Sequence, residues 1–152
     1  MKIFNWLGRV SYYVLWPGIS IYLLGNQRSR IVVFCGQDIL VVKGWLSNGR
    51  WSLPGGGLHA SEPTTTGALR ELKEETDLQL KTSDINELTS EDFRLRGIKV
   101  KLHFFSAAVD SKLPVKKQPL EITDIAWINQ KELNASNTNK DALRGIAIWK
   151  SA

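Results

Sequence analysis

The segment 55–78, GGGLHASEPTTTGALRELKEETDL, places three glutamates within five positions after a run of three glycines. In a helix, Glu71, Glu74 and Glu75 would lie three and four residues apart and share one face. Like charges at this spacing repel each other, and each pair costs about a few tenths of a kcal/mol. Something must therefore offset the repulsion on this face.

Two kinds of cation are available to these glutamates. Within the helix, Arg70 can reach Glu74 and Lys73 can reach Asp77, but each exposed pair contributes at most about 0.5 kcal/mol. Those pairs leave the other two glutamates without a partner. A divalent cation such as Mg²⁺ binds carboxylate oxygens and completes its shell with water and substrate phosphates, and a glycine backbone can approach such a site closely. An acidic face that is simply solvated is the alternative.

The order of these residues resembles the Nudix box, G-x5-E-x7-R-E-U-x-E-E-x-G-U, in which U is aliphatic. Every fixed position but one matches, and the matching residues are Gly56, Glu62, Arg70, Glu71, Leu72, Glu74, Glu75 and Leu78. The flanking segments WSLPGGG and EITDIAWINQKEL also resemble those of family members, the second as a late strand with its tryptophan and a following helix. The resemblance therefore covers residues 30–133. The departure is Asp77, which replaces the family's glycine just after the helix. Asp tolerates the left-handed conformation better than most residues, at a cost of about 1 kcal/mol.

The resemblance implies both a fold and an activity. The fold is α+β, a Nudix-type α/β/α sandwich with a mixed β-sheet. The activity is that of a pyrophosphohydrolase, which cleaves a pyrophosphate bond in a nucleoside diphosphate linked to another moiety, by attack of activated water at phosphorus. The expected cofactor is Mg²⁺, with Mn²⁺ as a substitute. The expected substrate is a small nucleotide or nucleotide derivative, and this sequence does not identify the linked moiety.

The resemblance also implies which residues hold the metal. By position in the box, Glu71, Glu74 and Glu75 are the expected carboxylate ligands. Gly56 is expected to offer its backbone carbonyl to the same metal. Such cations both activate the attacking water and neutralise charge that develops on the phosphate oxygens.

Other residues are implied to support the box or to act as its base. Glu62 and Arg70 are expected to brace the loop against the helix, which is a structural role. The general base is implied to be a box glutamate, Glu71 or Glu74, or a glutamate from a later loop. Glu121, in the stretch PLEITDIAW, is the candidate of the second kind, with an ordinary surface glutamate at the start of a strand as the alternative.

A basic stretch beyond the box, FRLRGIKVKLHFF, is a candidate for substrate binding. Its cations surround a predicted turn at Gly97, and they are Arg94, Arg96, Lys99 and Lys101. Alternation along the second strand places Lys99 and Lys101 on one face. This basic rim could bind a polyphosphate, but a solvated edge strand protected by its lysines is the preferred interpretation.

The elements that must position the site follow from the hydrophobic pattern. Residues 30–35 and 38–44 are β-branched runs, which predict two strands joined by a hairpin at Gly36-Gln37. Asn48-Gly49 predicts a second turn. The box helix is expected to run from Pro63 to Thr76, with Thr64 or its neighbours capping free amides. Its expected inward face consists of Ala68, Leu69, Leu72 and Thr76.

Composition limits the class of protein. The chain has 152 residues, 43% of them hydrophobic, which suits a single core. Its formal charge of +5 favours anionic partners such as phosphates, and no specific nucleic-acid binding is expected. The single cysteine, Cys35, cannot form an internal disulfide and lies in an apolar run. A reducing, cytoplasmic location is therefore expected.

Residues 1–24 form an apolar N-terminal extension, which precedes the expected Nudix domain of residues 25–152. Pro17-Gly18 and the polar residues Asn5 and Arg9 interrupt its apolar runs, so a membrane span is not predicted. The segment 2–15 is expected to be a helix whose apolar stripe docks on the domain or on a second subunit, as in a homodimer. Lying flat on a membrane surface is the less favoured alternative.

Two functional classes remain open from the sequence. The first is the metal-dependent pyrophosphohydrolase. The second is a Nudix-fold module that binds a nucleotide or regulates a partner, apposed to a membrane through residues 1–24, without useful turnover. The complete set of glutamates favours the enzyme, because a module that only binds has no physical need for it.

Overall fold

The computed structural model describes residues 27–45, 47–95, 97–118 and 121–152, so the predicted N-terminal extension lies outside the described residues. The described part contains a sheet, two α-helices and a short 3-10 turn at Thr82–Asp84. The strands are β1 (Gln27–Cys35), β2 (Asp38–Gly44), β3 (Asn86–Leu95), β4 (Ile98–Ala108) and β5 (Ile122–Asn129). The helices are α1 (Thr64–Thr76) and α2 (Lys140–Ser151).

The five strands form one sheet in the order β3-β4-β1-β2-β5. Strands β1 and β4 are parallel, whereas the other neighbouring pairs are antiparallel. A parallel pair requires a long crossover connection, and α1 lies in the segment that joins β2 to β3. The sheet is therefore mixed, as predicted.

The two helices pack on opposite faces of this sheet. Alternate residues of β1 point to opposite sides, so Ile31 and Val33 share a core with α1, whereas Val32 shares a core with α2. The helix residues buried in these two cores are Ala68 and Leu72 of α1 and Ala142 and Ile146 of α2. This arrangement confirms the α/β/α sandwich.

The predicted turns are present, and their backbone explains the glycines. Gly36 closes the β1–β2 hairpin with φ of 58°, and Gly97 closes the β3–β4 hairpin with φ of 85°. Asn48 and Gly49 both have positive φ in the turn that follows β2. Side chains with a Cβ rarely adopt this conformation, which is why turn residues could be predicted locally.

Helix α1 begins one residue later than expected. Pro63 is its N-cap residue, and no side chain caps the helix, so the expected cap from Thr64 is absent. Leu69 is only half-buried, whereas Gly67 and Glu71 are buried beside the predicted inward residues Ala68, Leu72 and Thr76. Burial of a carboxylate on this helix was not expected from the pattern.

The C-terminal half differs more from expectation. The late strand with Trp127 is present as β5, but the helix expected immediately after it is absent, because Gln130 and Lys131 form a turn. Helix α2 begins only at Lys140 and buries one apolar stripe against the sheet. Cys35 is a free thiol and is half-buried at the end of β1.

Two tryptophans follow β2, and the second of them, Trp51, also packs against the core on the α2 side of the sheet. Trp45 is 62% exposed just after the strand. Trp51 is half-buried, and the Lys43 ammonium lies 4.1 Å from its ring centroid in a cation–π contact.

Among the described helices, neither is long and apolar enough to cross a membrane.

Candidate active site

The loop of residues 54–58, which contains three consecutive glycines and is called the glycine loop below, is fixed to the first half of β1 by main-chain hydrogen bonds. The Ser29 N–H donates to the Gly56 carbonyl at 2.8 Å, and the Ile31 N–H donates to the Pro54 carbonyl at 3.0 Å. The Leu58 N–H donates in turn to the Gln27 carbonyl at 3.0 Å. The loop therefore continues the sheet on one side of β1 and delivers the chain to α1 in a defined position.

Two of the glycines are required by close contacts. Gly55 has φ of 134°, and its N–H donates to Glu75 Oε2 at 2.8 Å. A Cβ at Gly55 would overlap the backbone carbonyl of Ser29, and a Cβ at Gly56 would overlap the carboxylate of Glu71. The loop thus lets two box carboxylates from α1 lie directly on its backbone.

Arg70 joins the loop to the acidic face of α1. Its Nη2 donates to Glu62 Oε1 at 2.8 Å and to the Gly57 carbonyl at 3.0 Å. Its Nη1 donates to Glu71 Oε1 at 2.8 Å and to Glu74 Oε2 at 3.2 Å. The argument from helix spacing left Glu71 without a cation, and this is wrong: the long Arg70 side chain reaches its sequence neighbour as well as the residue four positions on.

Glu62 is the best-satisfied carboxylate of the site. Arg70 donates to both of its oxygens, from Nη2 to Oε1 at 2.8 Å and from Nε to Oε2 at 3.3 Å. The Oε1 atom also accepts the His59 N–H at 2.8 Å. The hydrogen bond from Arg70 is the main cause that lowers the pKa of Glu62 to about 2, and the same bond raises the pKa of Arg70 above its ordinary value. Contacts of this kind hold the loop and the helix together, which is the geometry expected of bracing residues.

Glu71 and Glu75 are in the opposite electrostatic situation. Burial raises the pKa of Glu71 even though Arg70 is hydrogen-bonded to it. Burial also raises the pKa of Glu75 to about 8, against the effects of the Gly55 hydrogen bond and the charge of Arg30. The charge of Glu121 adds to both shifts, so this exposed glutamate lies close enough to act on the site. Glu74 differs, because its side chain is 51% exposed.

The carboxylates of α1 and the Gly56 carbonyl are chemically suited to bind a divalent cation. Glu71 is buried, Glu75 is half-buried and Glu74 is exposed on the same helix, and carboxylate and carbonyl oxygens are the ligands that Mg²⁺ prefers. The Gly56 carbonyl already accepts the Ser29 N–H, but a carbonyl oxygen has a second lone pair. In the described residues, no three His, Cys, Asp or Glu side chains converge as a preassembled metal cluster. Arg70 contacts one oxygen of each of two box carboxylates, Oε1 of Glu71 and Oε2 of Glu74.

Sequence reasoning missed the basic and acidic residues on the other side of the loop. Arg30 Nε donates to Asp141 Oδ2 at 2.6 Å, and its Nη1 donates to the carbonyls of Ser29 and Gly55 at 2.9 and 2.8 Å. Arg28 lies two residues earlier on the same strand. The spacing of the two arginines could have indicated a shared strand face, but nothing local indicated Asp141, which is 111 residues away in the chain.

The predicted basic rim lies apart from these contacts. Arg94 and Lys99 are opposite each other at the hairpin end of β3 and β4, and both are exposed. Lys101 is exposed and lies opposite Gln27 of β1, while Arg96 is outside the described residues. The edge strand is β3, so the lysines of β4 lie one strand inside the edge that they were expected to protect.

Comparison with known proteins agrees with this fold. A sequence model of the NUDIX domain matches residues 25–147. The chain therefore belongs to the Nudix family. The mRNA decapping complex subunit 2 of Schizosaccharomyces pombe is 30% identical over 105 residues, which is 68% of this chain and 14% of that protein. The chain thus spans a small part of that relative's length.

Solved structures share the fold at lower identity. A NUDIX hydrolase from Nitrosomonas europaea has a TM-score of 0.71 at 20% identity, covering 83% of this chain and 88% of that chain. A bifunctional NMN adenylyltransferase/ADP ribose pyrophosphatase from Francisella tularensis, complexed with AMP and a Mn ion, has a TM-score of 0.70 at 22% identity. That match covers 93% of this chain and 45% of the other. These likenesses concern the fold.

Proposed function

We propose that this chain hydrolyses a pyrophosphate bond in a nucleoside diphosphate linked to another moiety, with a divalent metal ion as cofactor. The observation that carries the proposal is that two carboxylates, the buried Glu71 and the half-buried Glu75, are held against the glycine loop. Both have a pKa above the ordinary value because they are desolvated. Such a pair is costly for a protein to keep unless a cation neutralises it.

The chain's own residues divide the work. Glu71, Glu74 and Glu75 would hold the metal together with the Gly56 carbonyl. Mg²⁺, when bound, would lower the pKa of the attacking water and neutralise charge on the phosphate oxygens. Arg70 and Glu62 would keep the loop in register with α1 through the contacts that also link them to Gly57 and His59.

Hydrolysis also needs a group that accepts a proton. As the water oxygen forms its bond to phosphorus and the bridging P–O bond breaks, the proton passes to a carboxylate. Glu74 is a candidate because its side chain is half-exposed and can reach solvent. Glu121 is the second candidate, because it is exposed and its charge acts on both Glu71 and Glu75. Glu71 is the third.

The substrate is a nucleotide derivative, and the relatives suggest where to look. One relative is named as an mRNA decapping subunit and another structure as an ADP ribose pyrophosphatase. A structure from C. elegans is an Ap4A hydrolase, with a TM-score of 0.63 at 15% identity. Dinucleotide, sugar-linked and capped-RNA substrates all contain the same pyrophosphate linkage, so they belong in one screen.

The test is a substrate panel with the full-length chain and Mg²⁺. It contains nucleoside triphosphates, ADP-ribose, nucleotide sugars, dinucleoside polyphosphates and a capped oligoribonucleotide, with products separated by chromatography. We expect turnover of at least one class, lost when EDTA removes the metal and restored by Mg²⁺ or Mn²⁺. Absence of turnover across the panel, with metal binding demonstrated by calorimetry, would contradict the proposal.

A nucleotide-binding module is the second candidate function. The observation that favours it is that Arg70 already contacts Glu71 and Glu74, two of the carboxylates that metal would need. A module of this kind would bind members of the panel without cleaving them. Equilibrium binding measured beside turnover on the same panel separates the two candidates.

A further inference from the structure

Arg28 lies next to the glycine loop, and one nitrogen of its guanidinium group lacks a hydrogen-bond partner. It is the second residue of β1, and its backbone forms an antiparallel bridge with Gly57. The side chain is half-buried, and its Nε is fully buried without a hydrogen-bond partner. Buried donors in folded proteins nearly always have an acceptor, so an unpaired arginine nitrogen beside a candidate active site needs an explanation.

Arg30 shows what a structural arginine looks like at this place. It lies two positions further along β1, so its side chain is on the same strand face as Arg28. Arg30 bonds to Asp141 and to two backbone carbonyls, and it joins β1, the loop and α2. Among the described residues Arg28 has no ion pair, so this structural explanation does not extend to it.

Charged side chains of β1, α1 and α2 all act on Arg28. Glu71, Glu75 and Asp141 all act to raise its pKa, but burial and the neighbouring Arg30 charge outweigh them, and the pKa of Arg28 is lowered. The guanidinium is therefore not fully compensated by the protein. An additional anion bound at Arg28 would complete the balance of charge.

We propose that Arg28 donates hydrogen bonds to a non-bridging phosphate oxygen of the substrate. The inference rests on the proposed function for the class of substrate, but it concerns a residue outside the box. Arginine suits the role because its planar guanidinium matches phosphate oxygens in geometry and stays charged when partly desolvated. Through the bridge to Gly57, the strand holds this cation beside the loop on which Glu71 and Glu75 lie.

The experiment measures anion binding without turnover. Inorganic pyrophosphate is titrated into the full-length chain by calorimetry in the presence of Mg²⁺, with the wild type, Arg28→Gln and Arg28→Lys. Arg144→Gln is the matched control, because Arg144 pairs with Glu91 on an exposed surface away from the loop. We expect Arg28→Gln to weaken pyrophosphate binding at least tenfold, Arg28→Lys to weaken it less, and the control to bind as the wild type does.

The outcomes separate binding from a merely structural role. Thermal unfolding without metal or anion is measured for the same variants. Wild-type affinity for pyrophosphate in Arg28→Gln, with a lowered melting temperature, would mean that Arg28 only balances the buried carboxylates, and the proposal would be wrong. Absence of pyrophosphate binding by the wild type at millimolar concentration would also overturn it. Because the readout needs no hydrolysis, a failure of the proposed activity remains distinguishable from a failure of this inference.

Discussion

Glu75 is the residue at which burial and chemistry conflict most directly. Its carboxylate is desolvated, with its pKa raised to about 8, and within the described part of the chain its hydrogen-bond donor is the Gly55 N–H. We predict that Glu75→Gln lowers kcat by about 10² to 10⁴-fold, because it removes negative charge where a metal ion is needed in the transition state. Turnover at saturating Mg²⁺ is the measurement, and a rate near that of the wild type would contradict the assignment.

For the metal-free protein, the same variant is expected to preserve or increase stability although it lowers kcat. Glutamine keeps a carbonyl oxygen that can accept the Gly55 N–H, and it is neutral without having to bind a proton, as the desolvated carboxyl group must. The free energy of unfolding without metal should therefore equal or exceed that of the wild type. Denaturant unfolding in EDTA checks this, and a clear loss of stability would show that the low activity came from a damaged fold.

Gly56 tests how closely the loop must approach α1. A Cβ at this position would overlap the Glu71 carboxylate, so Gly56→Ala should displace Glu71 and reduce both metal affinity and turnover by at least about tenfold, or 1.4 kcal/mol. The matched control is Gly44→Ala, because the nearest atom to a Cβ there is the Glu121 carbonyl at 3.6 Å, an ordinary contact. Equal metal affinity in the two variants would show that the contact is unimportant.

Between elements, the ion pair of Arg30 and Asp141 ties β1 to the start of α2. The two side chains are 10% and 5% exposed, so removing one partner leaves a buried charge. We predict that Asp141→Asn destabilises the protein by about 3 to 5 kcal/mol in denaturant unfolding. Glu91→Gln is the control, because its partner Arg144 is half-exposed, and its loss should cost less than about 1 kcal/mol.

The Asp141 pair also predicts a direction of pH dependence. Burial alone would raise the pKa of Asp141, but the charge and hydrogen bond of Arg30 hold it below the ordinary value. The native state then binds this proton less readily than the unfolded chain does. The stabilisation is therefore complete above the unfolded-state pKa of about 3.9 and is lost as the pH falls through the folded value. In Asp141→Asn, this part of the acid-induced loss should be absent.

The end of α1 carries the departure from the family pattern. Asp77 adopts φ of 59°, and its N–H donates to the Lys73 carbonyl as a left-handed C-cap. We predict that Asp77→Gly stabilises the protein by up to about 1 kcal/mol, because glycine adopts this conformation without a Cβ penalty and carries no charge at the negative helix end. Asp77→Asn keeps a side chain and removes only the charge, so comparing their melting temperatures separates the two causes.

For the molecule as a whole, the N-terminal 24 residues set the remaining prediction. The sequence predicts an apolar stripe that docks on the domain or on a second subunit, and this segment lies outside the described residues. Deletion of residues 1–24 should then expose the surface they cover, at roughly 25 cal/mol per Å², and lower stability or cause aggregation. Thermal unfolding and light scattering of the truncated chain, without lipid, measure this.

A membrane role would give a different result for the same deletion. If the segment lay on a bilayer, its removal would improve solubility and leave stability and kcat unchanged. Co-sedimentation with liposomes, with and without anionic lipid, is the direct test, and we expect no lipid-dependent pelleting of the full-length chain. Clear binding that disappears on truncation would contradict docking.

The sequence by itself determined the features that depend on local spacing. The three box glutamates occupy neighbouring turns of α1, because residues three and four apart in a helix are always neighbours. Gly36, Gly49 and Gly97 mark turns, because their positive φ is a property of the single residue. The box helix followed from the same short-range patterns, whereas the mixed sandwich was implied by the resemblance to the family.

Only the tertiary structure decided the electrostatic environment of each charged side chain. Glu71 and Glu75 are chemically identical to Glu62, yet burial raises their pKa values while Arg70 lowers that of Glu62. Arg28 and Arg30 are alike in sequence, yet one has a buried unpaired nitrogen and the other joins Asp141 across 111 residues. Desolvation and long-range pairing depend on which distant segments meet in space, and no local pattern encodes that meeting.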